Sequence, residues 1–150
     1  MKIAEALMAE HMMFHNLFDH IERTAPRLKT ASEIKMLAAL LDSMLEAHSR
    51  TEDDLFIGPL EHCFEQIGHR ETFHQEHEQI EECLKQAQSG KRPRQARQWL
   101  LAAVDCSRNH FDKEERIVFP LAERVLKSKT LAALGQSWLA RRAAPTEEGR

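Results

Sequence analysis

The chain of 150 residues contains no tyrosine. That absence excludes a tyrosyl-radical generator and removes the usual phenol donor from any redox site. Cysteine is scarce too: Cys63, Cys83 and Cys106 are far apart, odd in number, and never form a Cys-x-x-Cys pair. The pattern fits a reduced, cytoplasmic interior, with the thiols as small core residues. A formal charge of −3 is too small to point to a nucleic-acid or membrane partner. No run approaches the roughly 18 apolar residues that a membrane span needs. The opening Met1-Lys2-Ile3-Ala4-Glu5 carries an acid early and passes straight into an amphipathic pattern, unlike a signal peptide. Glycine and proline number five each. They fall between helical patterns, and no strand pattern appears.

Histidine, by contrast, occurs nine times and unevenly. It sits on a run of amphipathic segments. Residues 2–24 place Ile3, Leu7, Met8, Phe14, Leu17, Phe18 and Ile21 on one helical face, and Pro26 closes the helix. Ser32 is the expected N-cap of a second helix bearing Ile34, Leu37, Leu41, Met44, Leu45, Leu55 and Phe56. Gly58-Pro59 kinks or breaks that helix, and Gly68 ends the stretch after it. A third run covers about 69–88 and a fourth about 93–118, separated by the loop signal Ser89-Gly90-Lys91-Arg92-Pro93. A short fifth helix is expected at 129–142, with Leu131, Leu134 and Trp138 as its apolar edge. These lengths and short loops predict an all-α, up-down-up-down four-helix bundle over residues 1–142 and a solvated, disordered tail over 143–150.

Two of the helices carry the same phrase. One reads His48-x-x-x-Glu52 and reaches Pro59-Leu60; the other reads His110-x-x-x-Glu114 and reaches Pro120-Leu121. They align with a single insertion, Gly58. The first and third helices share Glu10-His11-x-x-Phe14 and Glu76-His77-x-x-Ile80. The chain therefore reads as two αα-hairpins related by a pseudo-two-fold. Residues i and i+4 share a helix face, so each histidine can point into the same cavity as its glutamate. Counting along antiparallel helices brings His11, His48, His77 and His110 to one level within about two turns. The bland alternative is a surface His–Glu pair, but a pair recurring with matching flanks argues against it. A buried carboxylate without a partner costs several kcal/mol, on the order of a whole domain's margin. Four histidines and two carboxylates at one level need a common neutraliser, and a metal pair provides it. Imidazole with carboxylate suits iron, zinc or manganese, and the lack of thiolate argues against structural zinc or an iron–sulfur cluster.

With those residues in order, the chain resembles the hemerythrin-like (HHE cation-binding) domain family. In that family successive helices supply one His, then His-x-x-x-Glu, then one His, then His-x-x-x-Glu. The resemblance covers residues 3–142, and the closing Leu134-Gly135 and Arg141-Arg142 fit it as well. It implies metal ligation by His11, His48, Glu52, His77, His110 and Glu114. The implied cofactor is two iron ions, oxo- or hydroxo-bridged. The implied partner is a small diatomic or peroxide ligand: dioxygen, nitric oxide or peroxide. Animal hemerythrins resemble His-x-x-x-His in the third helix, where this chain has Phe73 four residues before His77. They resemble His-x-x-x-x-Asp in the fourth, where it has Glu114. The likeness is therefore closer to hemerythrin-like proteins of iron sensing, nitric-oxide and oxidative stress, or iron–sulfur repair than to an oxygen carrier. An N-terminal cysteine-bearing segment typical of the repair proteins is not expected here. His15 and His74 are candidates for a further ligand or a ligand's partner. His20, His62 and His69 are read as solvated or interfacial, Glu10 and Glu76 as solvated or as partners behind a ligand, the methionines as core filler, and Phe14, Phe18, Phe56, Phe111 and Phe119 as cavity wall. A regulatory module whose fold depends on metal occupancy, or a zinc or manganese site, is the alternative.

Overall fold

A computed structural model describes residues 1–63 and 70–144. Gly68, His69, the start of the third predicted helix and tail residues 145–150 lie outside them. Every regular element among the described residues is helical. Helix α1 spans Ile3–Thr24 and ends in a short 3₁₀ turn, Ala25–Arg27, where Pro26 interrupts the ladder. Helix α2 spans Ala31–Glu52. Its N-cap is Thr30, not Ser32: Thr30 has extended backbone, and its hydroxyl accepts the Glu33 N–H at 3.2 Å. Ser32 lies one residue inside the first turn. Helix α3 spans Arg70–Ser89, and α4 spans Pro93–Lys113 with Pro93 at its first position, where a missing N–H costs nothing.

The repeated phrase has a repeated backbone. After Glu52 the helix widens into a π-turn, Asp53–Ile57, in which Gly58 N–H reaches back five residues to the Asp53 carbonyl. After Lys113 it widens again over Glu114–Val118, and Phe119 N–H reaches Glu114. In each case a proline follows. Its ring collides with the carbonyl four residues earlier, Leu55 or Arg116, and it offers no N–H. A π-turn relieves both problems and lets the helix continue. Pro120 therefore does not end the fourth helix: α5, Phe119–Val125, runs on from it.

Helix α6, Ser128–Ala143, buries Leu131 and Gly135 and packs along α1. At Gly135 a Cβ would strike the Met1 carbonyl, so only glycine lets the N-terminus cross there. The apolar residues form two clusters. Phe14, Phe18, Ile34, Leu41, Leu84, Leu100 and Phe111 belong to one. Ile3, Leu7, Phe56, Phe73, Val118 and Leu131 belong to the other. The buried histidines and glutamates belong to neither. Not all methionines are core filler: Met12, Met13 and Met36 are exposed. They fall off the i, i+4, i+7 stripes that bury Leu7, Phe14 and Phe18 on α1 and Ile34, Leu41 and Leu45 on α2.

Candidate metal centre

His11 comes from α1, His48 and Glu52 from α2, His77 from α3 and His110 from α4, while Glu114 opens the π-turn after α4. These residues gather into two groups. His11, His48, Glu52 and Glu114 offer ligand atoms all within 4.8 Å of one another, and so do Glu52, His77, His110 and Glu114. Both glutamates are common to both groups. In the first, His11 and His48 Nε2 face each other at 3.2 Å; in the second, His77 and His110 Nε2 do so at 2.8 Å. All but His77 are buried, and His77 is half-buried.

What orients the rings is the residue beside each single histidine. Of the two expectations for Glu10 and Glu76, solvent and a partner role, the structure shows the second. His48 Nδ1–H donates to Glu10 Oε2 at 2.9 Å, and His110 Nδ1–H donates to Glu76 Oε2 at 2.9 Å. An imidazole nitrogen facing a carboxylate must carry the proton. The other nitrogen, Nε2, is thereby directed inward. Each Glu-His phrase thus serves two rings: its histidine enters the cavity and its glutamate crosses to the next helix. One residue apart on a helix means about 100° of rotation, which is why the glutamate meets a neighbour instead of the cavity. Glu10 is only 8% exposed and is held by Trp138 Nε1–H at 2.8 Å and Arg142 Nε–H at 2.7 Å, both on α6. Glu76 is held by Lys113. Trp138 was expected only as part of an apolar edge and Arg142 only as part of the closing Arg141-Arg142; helix packing is what brings them and Lys113 to these glutamates.

The buried groups shift one another strongly. Burial and the charge on Glu52 push the Glu114 carboxyl well above the usual range. Burial would raise Glu52 as well, but the neighbouring Glu114, His11 and His48 outweigh it and hold Glu52 well below that range. Two carboxyls so close in a dry space do not both ionise. Burial would lower His48, yet its bond to Glu10 and the nearby Glu52 hold it up to about 10. His11 is raised against its own burial by Glu114 and Glu52. His77 is lowered, by burial first and then by the neighbouring His110. Four buried atoms lack a well-formed hydrogen bond: His11 Nδ1, Glu52 Oε2, which lies 3.2 Å from His48 Nε2, and both oxygens of Glu114, one of which touches His110 Nε2. Buried polar atoms are rarely left so. The donor set is all imidazole and carboxylate, the ring nitrogens point at one another, and the orphaned oxygens lie between them. A pair of divalent ions fits each of these features at once.

A cavity of about 500 Å³ between α2 and α3 is lined by His77, His110, Asp53, Glu81, Ile80 and Phe111, among others. His11 and His48 do not line it. His11 is instead stacked on Phe111, with ring centres 3.8 Å apart. Phe73 packs edge-on against His110 at 5.4 Å. His15 points at Glu115, 3.3 Å away, and joins neither group. His74 stays on the surface beside Glu78 at 3.2 Å. His20 and His62 are exposed. Cys83 is buried, and burial together with Cys106 raises its thiol, as suits a core residue. No described helix is long and apolar enough to cross a membrane.

The Hemerythrin HHE cation binding domain family matches residues 2–122. Comparison with curated proteins and with solved structures gave no match.

Proposed function

Since the chain belongs to the hemerythrin HHE cation-binding domain family, we propose that it holds two iron ions at this centre and binds or reacts with a small ligand there. One observation carries the reading: two His₂ groups share both Glu52 and Glu114. A carboxylate common to two groups is the arrangement that bridges paired ions about 3.5–4 Å apart. In this reading residues 1–142 form one metal-binding unit, its four long helices running up-down-up-down. His11 and His48 hold one ion, His77 and His110 the other, and the glutamates bridge. Glu10 and Glu76 fix the Nε2 lone pairs inward. Phe111, Phe119 and Phe73 keep water from the rings they touch. Iron so held would supply reversible one-electron chemistry and an open position for dioxygen, nitric oxide or peroxide. The cavity at His77 and His110 favours arrival from that side.

A second reading is favoured by the orphaned carboxyl oxygens. Metal occupancy would relieve them, so the fold would tighten on loading and report iron status to a partner. The two readings share the centre and differ in the use made of it.

Anaerobic titration of the metal-free chain with ferrous ion tests the centre. Two equivalents are expected, and His110→Ala should take up one or none. Uptake of no iron by the wild-type chain, or equal uptake by His110→Ala, contradicts the assignment. Tight zinc uptake with no ferrous binding would favour the divalent alternative instead.

A further inference from the structure

The two hairpins differ in how they secure the carboxylate behind each paired histidine. In the second, the cation is local: Lys113, three residues after His110, reaches Glu76. The matching position in the first hairpin is Thr51, three residues after His48, and its hydroxyl turns back to the Ala47 carbonyl at 2.9 Å. No cation is available there from α2. The place is filled from the far end of the chain. Arg142 Nε–H and Nη2–H donate to both Glu10 oxygens at 2.7 and 3.1 Å, and Trp138 Nε1–H donates at 2.8 Å. Trp138 and Arg142 are one turn apart on α6, so a single docked face delivers both. That helix lies beyond the residues matched by the family.

We infer that α6 is a working part of the centre: Arg142 and Trp138 are positioning residues that hold Glu10 and, through it, the ring of His48. Glu10 accepts three hydrogen-bond partners in a nearly dry site. Removing the two on α6 leaves a buried carboxylate with one partner, and such a group turns toward water. His48 then loses the acceptor that fixes its orientation. Only one half of the centre depends on α6 in this way, because Glu76 and His110 rely on Lys113. The two halves are built to respond to different parts of the chain. The inference rests on the metal reading only for its effect on iron uptake.

The experiment uses the full-length chain. In nitrogen-15 NMR of the metal-free protein, the ring Nδ1–H protons of His48 and His110 are followed by their exchange with solvent. In Arg142→Gln combined with Trp138→Phe, exchange at His48 is expected to quicken about 10–100-fold, the worth of bonds to a charged group. Exchange at His110 should stay unchanged. Lys113→Gln should give the opposite pattern. Arg142→Lys should restore part of the protection, and Arg141→Gln, which loses an ion pair to Asp54, should change neither proton. Ferrous titration of the double variant should weaken one of two equivalents about 10–100-fold. An unchanged His48 proton in the double variant overturns the inference. So does simultaneous loss of both protons with falling helicity, which means that α6 merely supports the fold. If the wild type takes up no iron while the exchange pattern appears, the metal reading fails and the positioning role stands.

Discussion

Glu114 shows how one residue can be suited to metal and unsuited to its absence. Its carboxyl is buried, and burial with the neighbouring Glu52 pushes it well above the usual carboxylate range. Glutamine keeps that shape and carries no charge to bury. Glu114→Gln is therefore expected to melt, metal-free, at or above the wild-type temperature, yet to lose one or both ferrous equivalents. A clear drop in the metal-free melting temperature, read by circular dichroism, contradicts this account of the residue. His48 sets the pH dependence. Its folded value, about 10, lies above the ordinary 6.5. Its contribution to metal-free stability is therefore full below about 6.5 and is lost as pH rises through about 10. Iron must displace a proton at Nε2, so loading at neutral pH should release protons and apparent affinity should climb from pH 6.5 toward 10. Calorimetry in buffers of different ionisation enthalpy measures that release; none detected would rule out His48 as a ligand. That His48, Glu52, His110 and Glu114 gather at one place was legible because i, i+4 spacing repeats with matching flanks. Glu10 and Glu76 were left open between solvent and a partner role, since a residue next to a cavity-facing histidine points to another helix and spacing alone does not say what waits there.

At the scale of the element, the π-turns matter most. They were visible in the sequence only as prolines where a helix should break. What spacing could not convey is that the helix widens by one residue and carries on, leaving Glu114 at the head of the turn. Pro120→Ala restores an N–H that can bond the Arg116 carbonyl, so the segment is expected to relax toward regular α-helix. A one-residue change of register turns side chains by about 100°. Ferrous affinity should fall on the order of tenfold or more, with helicity held or raised. Unchanged affinity would mean that the turn does not set the Glu114 position. The close crossing at Gly135 yields a simpler outcome. Gly135→Ala drives a methyl into the Met1 carbonyl and should destabilise the chain by about 1–3 kcal/mol, measured by chemical denaturation.

For the whole molecule, the doubled phrase has a consequence beyond its ligands. Two similar hairpins close on one another, and each contributes a His₂ group to a pair of glutamates drawn from both. All-helical architecture was legible from apolar periodicity and the lack of strand patterns. The helix bounds came close as well, with Ser32 displaced by Thr30 as a cap because local hydrogen bonding decides that position. The asymmetry between the halves was not legible. It arises because α6 folds back on α1 and lends Trp138 and Arg142 to Glu10, residues 128 and 132 positions away in sequence. No local pattern encodes a partner at that distance. A second difference is that His77 and His110 line a cavity, whereas His11 and His48 do not. Anomalous diffraction at the iron edge, from crystals of the ferrous-loaded chain, tests the central claim most directly. The account predicts two peaks about 3.5–4 Å apart, one touching His11 and His48, the other His77 and His110, with Glu52 and Glu114 reaching both. A single peak, or ions bound away from these six residues, would contradict it.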